Sequence, residues 1–466
     1  MAIDNKKNGM NRCPHCGSTD TTLDVKTGNL KCNFCRSQFK GNKINAYGGI
    51  EDLKGDVIGA GAGDIIPDEK VILTLKCPAC GAEVVINLNE SSQARCHWCR
   101  NMLSINSKVP NGTVPDVILP FNMKKEEAKS LISNFVGKRK FYAHPKFKSE
   151  FTTENVMGVY FPYMLVDMKG HATFEGVGEH EKSRRTVKKG SGDNEREETI
   201  YTVESFNVKR ECDVEIDDLT VESSSRRAGA SEENETNNII NAILPFDTEN
   251  CVKFDSNYLH GYTSEKRDTN RKDLQKVVDS QEEEAIKFAL NRSVSEYDRG
   301  VAWENVHVEK EGEKWLAAYL PVWLYSYVEN PGKHNQLIHY VAVNARTKET
   351  IGSVPVNKER MLLVSGFIGF ITFALLLFFC LASSSGGELK GLGLSVILGI
   401  VVGGIYFACE YGKYRNTAAR HHFEHETKIN LKNVKKDDSR VKEFETESSL
   451  FKDANNTLVH IEKLHV

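Results

Sequence analysis

The segments Cys77-Pro78-Ala79-Cys80-Gly81 and Cys96-His97-Trp98-Cys99 have counterparts 64 residues earlier, in Cys13-Pro14-His15-Cys16-Gly17 and Cys32-Asn33-Phe34-Cys35. Both sets read C-x2-C-x15-C-x2-C, the signature of a duplicated unit. Cysteines two residues apart sit on a knuckle that turns both thiolates toward one cation. Glycine just after the second cysteine tolerates the left-handed backbone such a knuckle calls for. Four thiolates complete a tetrahedral shell and leave no position for a substrate. The spacing therefore predicts two structural Zn2+ ions, one on Cys13, Cys16, Cys32 and Cys35, the other on Cys77, Cys80, Cys96 and Cys99. Between the knuckles, Leu23 to Val25 and Val84 to Leu88 read as short strands, with Lys26-Thr27-Gly28-Asn29 as a turn. The ribbons occupy 1–40 and 71–109, and the Gly-rich stretch 41–70 reads as a connector. Its run Ile58-Gly59-Ala60-Gly61-Ala62-Gly63-Asp64 has Asp64 where a dinucleotide-binding fingerprint needs its last glycine, so a phosphate loop is not expected.

The rest of the chain says where these thiols reside. Met1 to Met10 is polar and lacks the apolar run of a secretory signal, so the N-terminus is expected to remain in the reducing cytosol. Residues Met361 to Ala382 and Gly391 to Cys409 carry no charge, and each approaches the ~20 residues that cross a bilayer core as a helix. The polar linker Ser383 to Lys390 makes them a hairpin. Lys358 and Arg360 before it, and Lys413, Arg415 and Arg420 after it, outweigh the single Lys390 in the linker, so both termini and the tail 410–466 are expected in the cytosol. Ser365-x-x-x-Gly369 and Gly399-x-x-x-Gly403 allow close helix contact, within the hairpin or between copies in a homo-oligomer. After the hairpin, His421 and His425 would share a helix face, but no third ligand close in sequence is compelling, and an exposed juxtamembrane segment is the expectation.

At 466 residues the chain has room for two or three domains. The region 114–359 reads as an α+β body of two related units, about 114–240 and 241–359. Ile118-Leu119-Pro120-Phe121 returns as Ile243-Leu244-Pro245-Phe246, Glu126-Glu127-Ala128 as Glu283-Glu284-Ala285, and Glu154-Asn155-Val156 as Glu304-Asn305-Val306. Tyr160-Phe161-Pro162-Tyr163-Met164-Leu165 returns as Tyr319-Leu320-Pro321-Val322-Trp323-Leu324. The charged run Lys182 to Thr199 and the polar run Ser223 to Asn238 read as solvated loops.

No catalytic pattern is complete. His180-Glu181 and His425-Glu426 open like H-E-x-x-H, but Arg184 and Ile429 stand where the second His belongs. Neither a Walker A loop nor a nucleophile-elbow serine occurs, so a non-enzymatic protein is expected. The 61 basic and 64 acidic residues give a formal charge of -3, with no global field for nucleic acid. A local alternative remains on the second ribbon, where Trp98 would stack on a base between Arg95 and Arg100. Phe34, with Lys31 and Arg36, would do the same on the first. Acids on the ribbons, Asp20, Asp24, Glu83 and Glu90 among them, favour the other reading, in which these aromatics pack on the ribbon core. With four thiolates available, His15 and His97 are expected to be exposed.

The stretch from Ile58 through Phe121, with Tyr319 to Leu324, Val341-Ala342-Val343-Asn344 and Asn416-Thr417-Ala418-Ala419-Arg420, resembles bacterial membrane proteins that carry a transcription-factor-IIB-type zinc ribbon. The resemblance extends to about Arg420. It implies a multidomain protein in which ribbons and body are anchored by a transmembrane hairpin, and for some members a partnership with phage-shock-like and virion-core-like proteins in envelope stress. Sequence and resemblance together imply an adaptor with protein partners at the cell membrane. A membrane-tethered nucleic-acid binder is the alternative.

Overall fold

The computed structural model describes residues 13–446 except 17–20, 25, 28, 41–48, 64–71, 78, 81, 88–94, 101, 104–107, 110–113, 190–195, 225–242, 260, 330–336, 384–391 and 415–427. In the first ribbon β1 (Thr21–Asp24), β2 (Asn29–Cys32) and β3 (Gln38–Phe39) form a three-stranded antiparallel sheet. Strand β4 (Gly55–Ile58) follows, and then β5 (Ile72–Lys76), β6 (Glu83–Asn87) and β7 (Lys108–Val109) of the second ribbon. Next come β8 (Val117–Ile118) and two helices, α1 (Lys125–Arg139) and α2 (Pro145–Glu150). On α1 the buried residues Ala128, Ile132 and Val136 recur every fourth position, as one stripe of a 3.6-residue helix requires.

The body is built on three unusually long strands. β9 (Met157–Lys189) and β10 (Arg196–Glu222) form one antiparallel hairpin. After β11 (Val252–Lys253), β12 (Thr263–Glu265) and α3 (Arg271–Asn291), β13 (Val301–Glu329) pairs antiparallel with β9, and β14 (Leu337–Asn344) and β15 (Thr350–Gly352) extend the sheet beyond it. From Met168 to Gly178 the even-numbered residues of β9 are buried and most odd-numbered ones are partly or fully exposed, the period of two that a sheet with one covered face imposes. α3 supplies the cover through Leu274, Val278, Ala285, Ile286 and Leu290, which pack with Met168, Phe174, Ile216 and Trp315. Each of the Leu, Val and Ile side chains among them contributes about 1.5–3 kcal/mol when taken out of water. The start of α3 is fixed by the Asn270 backbone N–H, which donates to the Asp273 carboxylate at 2.9 Å.

Tyr160 pairs with Pro321, Phe161 with Leu320, and Pro162 with Tyr319. The two repeated hexapeptides therefore lie side by side, antiparallel, about a local two-fold through Phe161 and Leu320. The surrounding topology follows the same operation. β8 runs parallel to β13 at Ile118 and Tyr319, and β12 runs parallel to β9 at Ser264 and Tyr160. α1 packs near β13, β14 and β15, whereas α3 packs near β13, β10 and β16. By this register Ile118 corresponds to Ser264, not to Ile243 as the tetrapeptide match suggested. Glu154 and Glu304 do not correspond either: Thr153–Asn155 is a 3-10 turn, while Glu304 lies inside β13.

Several readings of the chain between motifs are corrected. Lys182 to Lys189 belongs to β9 and is no loop. Within it, Lys182 pairs across the strands with Glu443 at 2.9 Å and Arg185 with Glu445 at 2.9 Å. The stretch 41–70 is more than a connector, since β4 pairs in parallel with β13 from Gly312 to Trp315. The loop after β4 is pinned by Asp116, whose carboxylate accepts the Gly61 N–H at 2.8 Å and the Ala317 N–H at 2.9 Å. An added Cβ at Gly59 would lie 2.2 Å from that carboxylate, which explains the glycine. The Gly61 amide is thus turned to an internal carboxylate, and the Ala62 and Gly63 amides donate to the Gly59 carbonyl rather than to a phosphate. The second ribbon is no free-standing domain, because β6 pairs with β12, which pairs with β9. Of the second polar run, Ser223 and Ser224 are buried, and 225–238 lie outside the described residues.

Helices α4 (Lys358–Ser383) and α5 (Leu392–Tyr414) form the apolar hairpin. Asn357 caps α4 by accepting the Arg360 N–H at 3.0 Å. Only 11% and 17% of the apolar windows of the two helices are buried, unlike core helices of a water-soluble domain. Both are long and apolar enough to cross a membrane. A Cβ at Gly369 would meet the Gly399 carbonyl at 2.6 Å, and one at Gly403 the Ser365 carbonyl at 2.8 Å. The small-residue faces are therefore used within the hairpin. The tail then returns as β16 (Lys428–Thr446), paired antiparallel with β10 from Tyr201 to Asp217. Ile429, Leu431 and Val434 of β16 pack against the α3-covered core, and buried Arg210 of β10 donates to Asp438 at 2.9 Å. His421 and His425 lie outside the described residues.

Candidate metal centres

In each ribbon the fold brings the four thiols together, with all Sγ atoms of a quartet within 4.8 Å of one another. Cys13 and Cys35 are 3.5 Å apart, Cys16 and Cys32 3.5 Å, Cys77 and Cys99 3.4 Å, and Cys80 and Cys96 3.6 Å. Two separate knuckles make each quartet, and both second knuckles close identically. The Arg36 N–H donates to the Cys32 carbonyl at 3.0 Å and the Arg100 N–H to the Cys96 carbonyl at 2.8 Å. Arg36 and Arg100 both take φ 63°, so the left-handed turn falls after the fourth cysteine of each ribbon. Gly17 and Gly81, expected to provide such a turn, lie outside the described residues.

The thiols are electrostatically uneven, as a cation site requires. The Cys96 thiol beside Cys80 lowers it to about 5, and burial opposes this only in part. Cys96 itself is pushed upward by that contact and by burial. In the first ribbon burial raises Cys13, but hydrogen bonds from Ser37 and from the Cys16 and His15 backbone outweigh it and bring the thiol down to about 6. Ser37 Oγ lies 2.9 Å from Cys35 Sγ and also holds that thiol below the usual range. The sequence reading passed over Ser37, although its place two residues after Cys35 was the available signal. Thiolates gathered this closely repel one another. A bound divalent ion relieves that repulsion, and four sulfur donors suit Zn2+.

His97 overturns the expectation of exposure. It is 1% exposed, with Nε2 3.8 Å from the Glu265 carboxylate and Nδ1 3.5 Å from Thr263 Oγ1, while its carbonyl accepts from Ser326 Oγ at 2.8 Å. It is a joint between ribbon and body rather than a metal ligand. Trp98 continues that joint, its ring 5.9 Å from Phe161 and 5.5 Å from Tyr340. Arg100 lies over the Tyr325 ring at 5.8 Å, and Arg95 is exposed. Of the three residues of the base-stacking alternative, only Arg95 faces water fully. On the first ribbon the outcome is reversed: Phe34 is 81% exposed and does not pack on the ribbon core.

Two further carboxylate groups, Asp167 with Asp217 and Asp218, and Asp279 with Glu282 and Glu313, approach metal-ligand geometry. A lysine ammonium already sits in each. Lys314 pairs with Asp167, and Lys310 bridges Glu282 at 2.7 Å, Asp279 at 2.5 Å and Glu313. These are internal ion-pair networks.

No family model matches the chain, and no solved structure matches it. It is similar to the uncharacterised protein YdjG of Bacillus subtilis (strain 168), 24% identical over 350 residues that span 75% of this chain and 91% of that protein.

Proposed function

We propose that this protein is a membrane-anchored, non-catalytic adaptor whose ribbons each hold one structural zinc ion. Its ribbons and sheet-rich body form a protein-interaction surface on the cytosolic face of the cell membrane. The observation that carries the reading is the placement of Trp98 between the second ribbon and Phe161 and Tyr340 of the body. The ribbon's aromatic is spent on holding the ribbon in the sheet, so the zinc unit serves as scaffold rather than as a probe for bases. Closed four-thiolate sites point the same way, since they offer no open coordination position. The earlier resemblance adds phage-shock-like and virion-core-like proteins as the first partner class to test.

A second reading is favoured by one observation: exposed Phe34 beside Lys31 and Arg36 would suit a base or a partner's apolar pocket. One preparation tests both. Full-length protein purified anaerobically in detergent should contain two zinc ions per chain and lose ribbon structure on chelation. Crosslinking in membranes should recover a defined protein partner, and DNA or RNA binding should be weak and fall steeply with salt. A zinc content near zero ends the metal assignment. Tight, sequence-selective nucleic-acid binding abolished by Phe34→Ala, with no protein partner, replaces the adaptor reading with the second one.

A further inference from the structure

The corner where the body meets the hairpin is strongly basic. Residues 138–150 and 358–360 hold seven lysines and arginines against two acids, Glu150 and Glu359. The corner is fixed rigidly. Asn357 N–H donates to the Tyr142 carbonyl at 2.8 Å, the Tyr142 and Tyr406 hydroxyls are 2.9 Å apart, and Arg139 Nε donates to the Lys413 carbonyl at 3.0 Å. Phe141 projects from this fixed point and is 54% exposed. The Arg360 guanidinium lies over its ring at 4.4 Å, and Lys148 Nζ donates to its carbonyl at 3.3 Å. Arg360 immediately precedes the apolar run that begins at Met361, so this aromatic and its cations stand at the depth of lipid headgroups if α4 crosses the bilayer.

Among the described residues, Lys138, Lys140, Lys148 and Arg360 make no ion pair with an acid. Partial burial and the nearby charges of Arg360 and Lys140 hold the Lys148 ammonium below the usual lysine range. Cations gathered beside an exposed aromatic, with no counter-ion among the described residues, leave an anionic complement to be supplied. An anionic headgroup supplies it: phosphate for the cations and the acyl boundary for the ring. We propose that Lys138, Lys140, Lys148 and Arg360, around the exposed ring of Phe141, form a binding surface for anionic phospholipid headgroups at the root of the hairpin. The proposal rests on the membrane-spanning reading of α4 and α5. Its consequence is that anionic lipid sets how firmly the body stands on the membrane.

The test uses the full-length protein in detergent, titrated with dispersed phosphatidylglycerol, phosphatidylcholine or inorganic phosphate while thermal unfolding is followed. Phosphatidylglycerol should raise the unfolding midpoint and the other two should not. The Lys138→Gln, Lys140→Gln, Lys148→Gln triple variant should need on the order of 100-fold more phosphatidylglycerol for the same rise, at about fivefold per charge near an anionic surface. Phe141→Ser should weaken the response while leaving the lipid-free midpoint nearly unchanged, because the ring is exposed. Equal responses to both lipids overturn the proposal, as does a rise reproduced by phosphate alone. Alkaline extraction of the wild-type protein from membranes, a separate measurement, reports on the spanning reading itself. Release there removes the anchor and the headgroup site with it, whereas retention with equal lipid responses removes only the site.

Discussion

Replacing Trp98 with alanine tests by stability as well as by binding whether the second ribbon's aromatic packs on the body or stacks on a base. The ring lies 5.5 Å from His97, 5.9 Å from Phe161 and 5.5 Å from Tyr340, and it packs against both the ribbon core and a core cluster of the body. A fully buried Trp→Ala change costs about 3–5 kcal/mol. Trp98 is only half-buried, so about 3 kcal/mol is expected. For a body of this size each kcal/mol moves the midpoint by roughly 2–4 °C, giving a fall of about 6–12 °C. The assay is thermal unfolding of zinc-replete full-length protein, with zinc content measured on the same sample. Arg95→Ala is the control. Being exposed, it should cost no more than about 0.5 kcal/mol. If Trp98→Ala unfolds within about 2 °C of wild type while nucleic-acid affinity collapses, Trp98 is a stacking residue and the packing argument is wrong.

Glu282 offers a pH test of the α3–sheet contact. Burial pushes its carboxyl up to about 7, because the one Lys310 ammonium is shared with Asp279 and Glu313. A raised carboxyl favours the folded state below the ordinary value near 4.5, and that contribution is lost as pH rises through 7. Glu282→Gln should therefore gain on wild type between pH 5 and pH 8 by as much as about 2–3 kcal/mol. Parallel unfolding midpoints across that range would show that the carboxyl does not titrate there. For orientation, a cysteine introduced at Ser385 should react with an impermeant thiol reagent from outside intact cells, and one introduced near the N-terminus should not; external labelling of the N-terminus would reverse the cytosolic assignment.

What the sequence revealed and concealed follows from the range of the interactions involved. The thiol quartets and the apolar helices are written in local spacing, so both could be read from one segment at a time. His97 was misjudged because the groups that bury it, Thr263, Glu265 and Ser326, come from strands more than 160 residues away. β4 looked like a linker because its partner is β13 and its glycines are explained only by Asp116. Lys182 to Lys189 looked like a loop because its charges alternate with those of neighbouring strands. Where α3 no longer covers the sheet, apolar periodicity disappears and only cross-strand charge pairing remains. The repeated hexapeptides were visible in sequence, but their two-fold arrangement depends on the register of β9 against β13, which no single segment encodes.

The tail strand decides the parity of the membrane crossings. β10 precedes the apolar helices in the chain and β16 follows them, yet the two are adjacent strands from Tyr201 with Thr446 to Asp217 with Lys428. An open sheet with charged residues on it cannot extend through hydrocarbon, so both strands lie on one side. If α4 and α5 span a membrane, the chain then crosses it an even number of times. Helices of 26 and 23 residues, at 1.5 Å per residue, reach about 39 and 35 Å, enough for one crossing each of a core about 30 Å thick. The Tyr142–Tyr406 and Arg139–Lys413 contacts bring the body-side ends of the hairpin to one corner of the body, as two crossings require. Backbone pairing thus supports a same-side arrangement that the basic flanks had suggested on separate grounds. It also ties the hairpin to the sheet at both ends, through β15 before α4 and through β16 after α5.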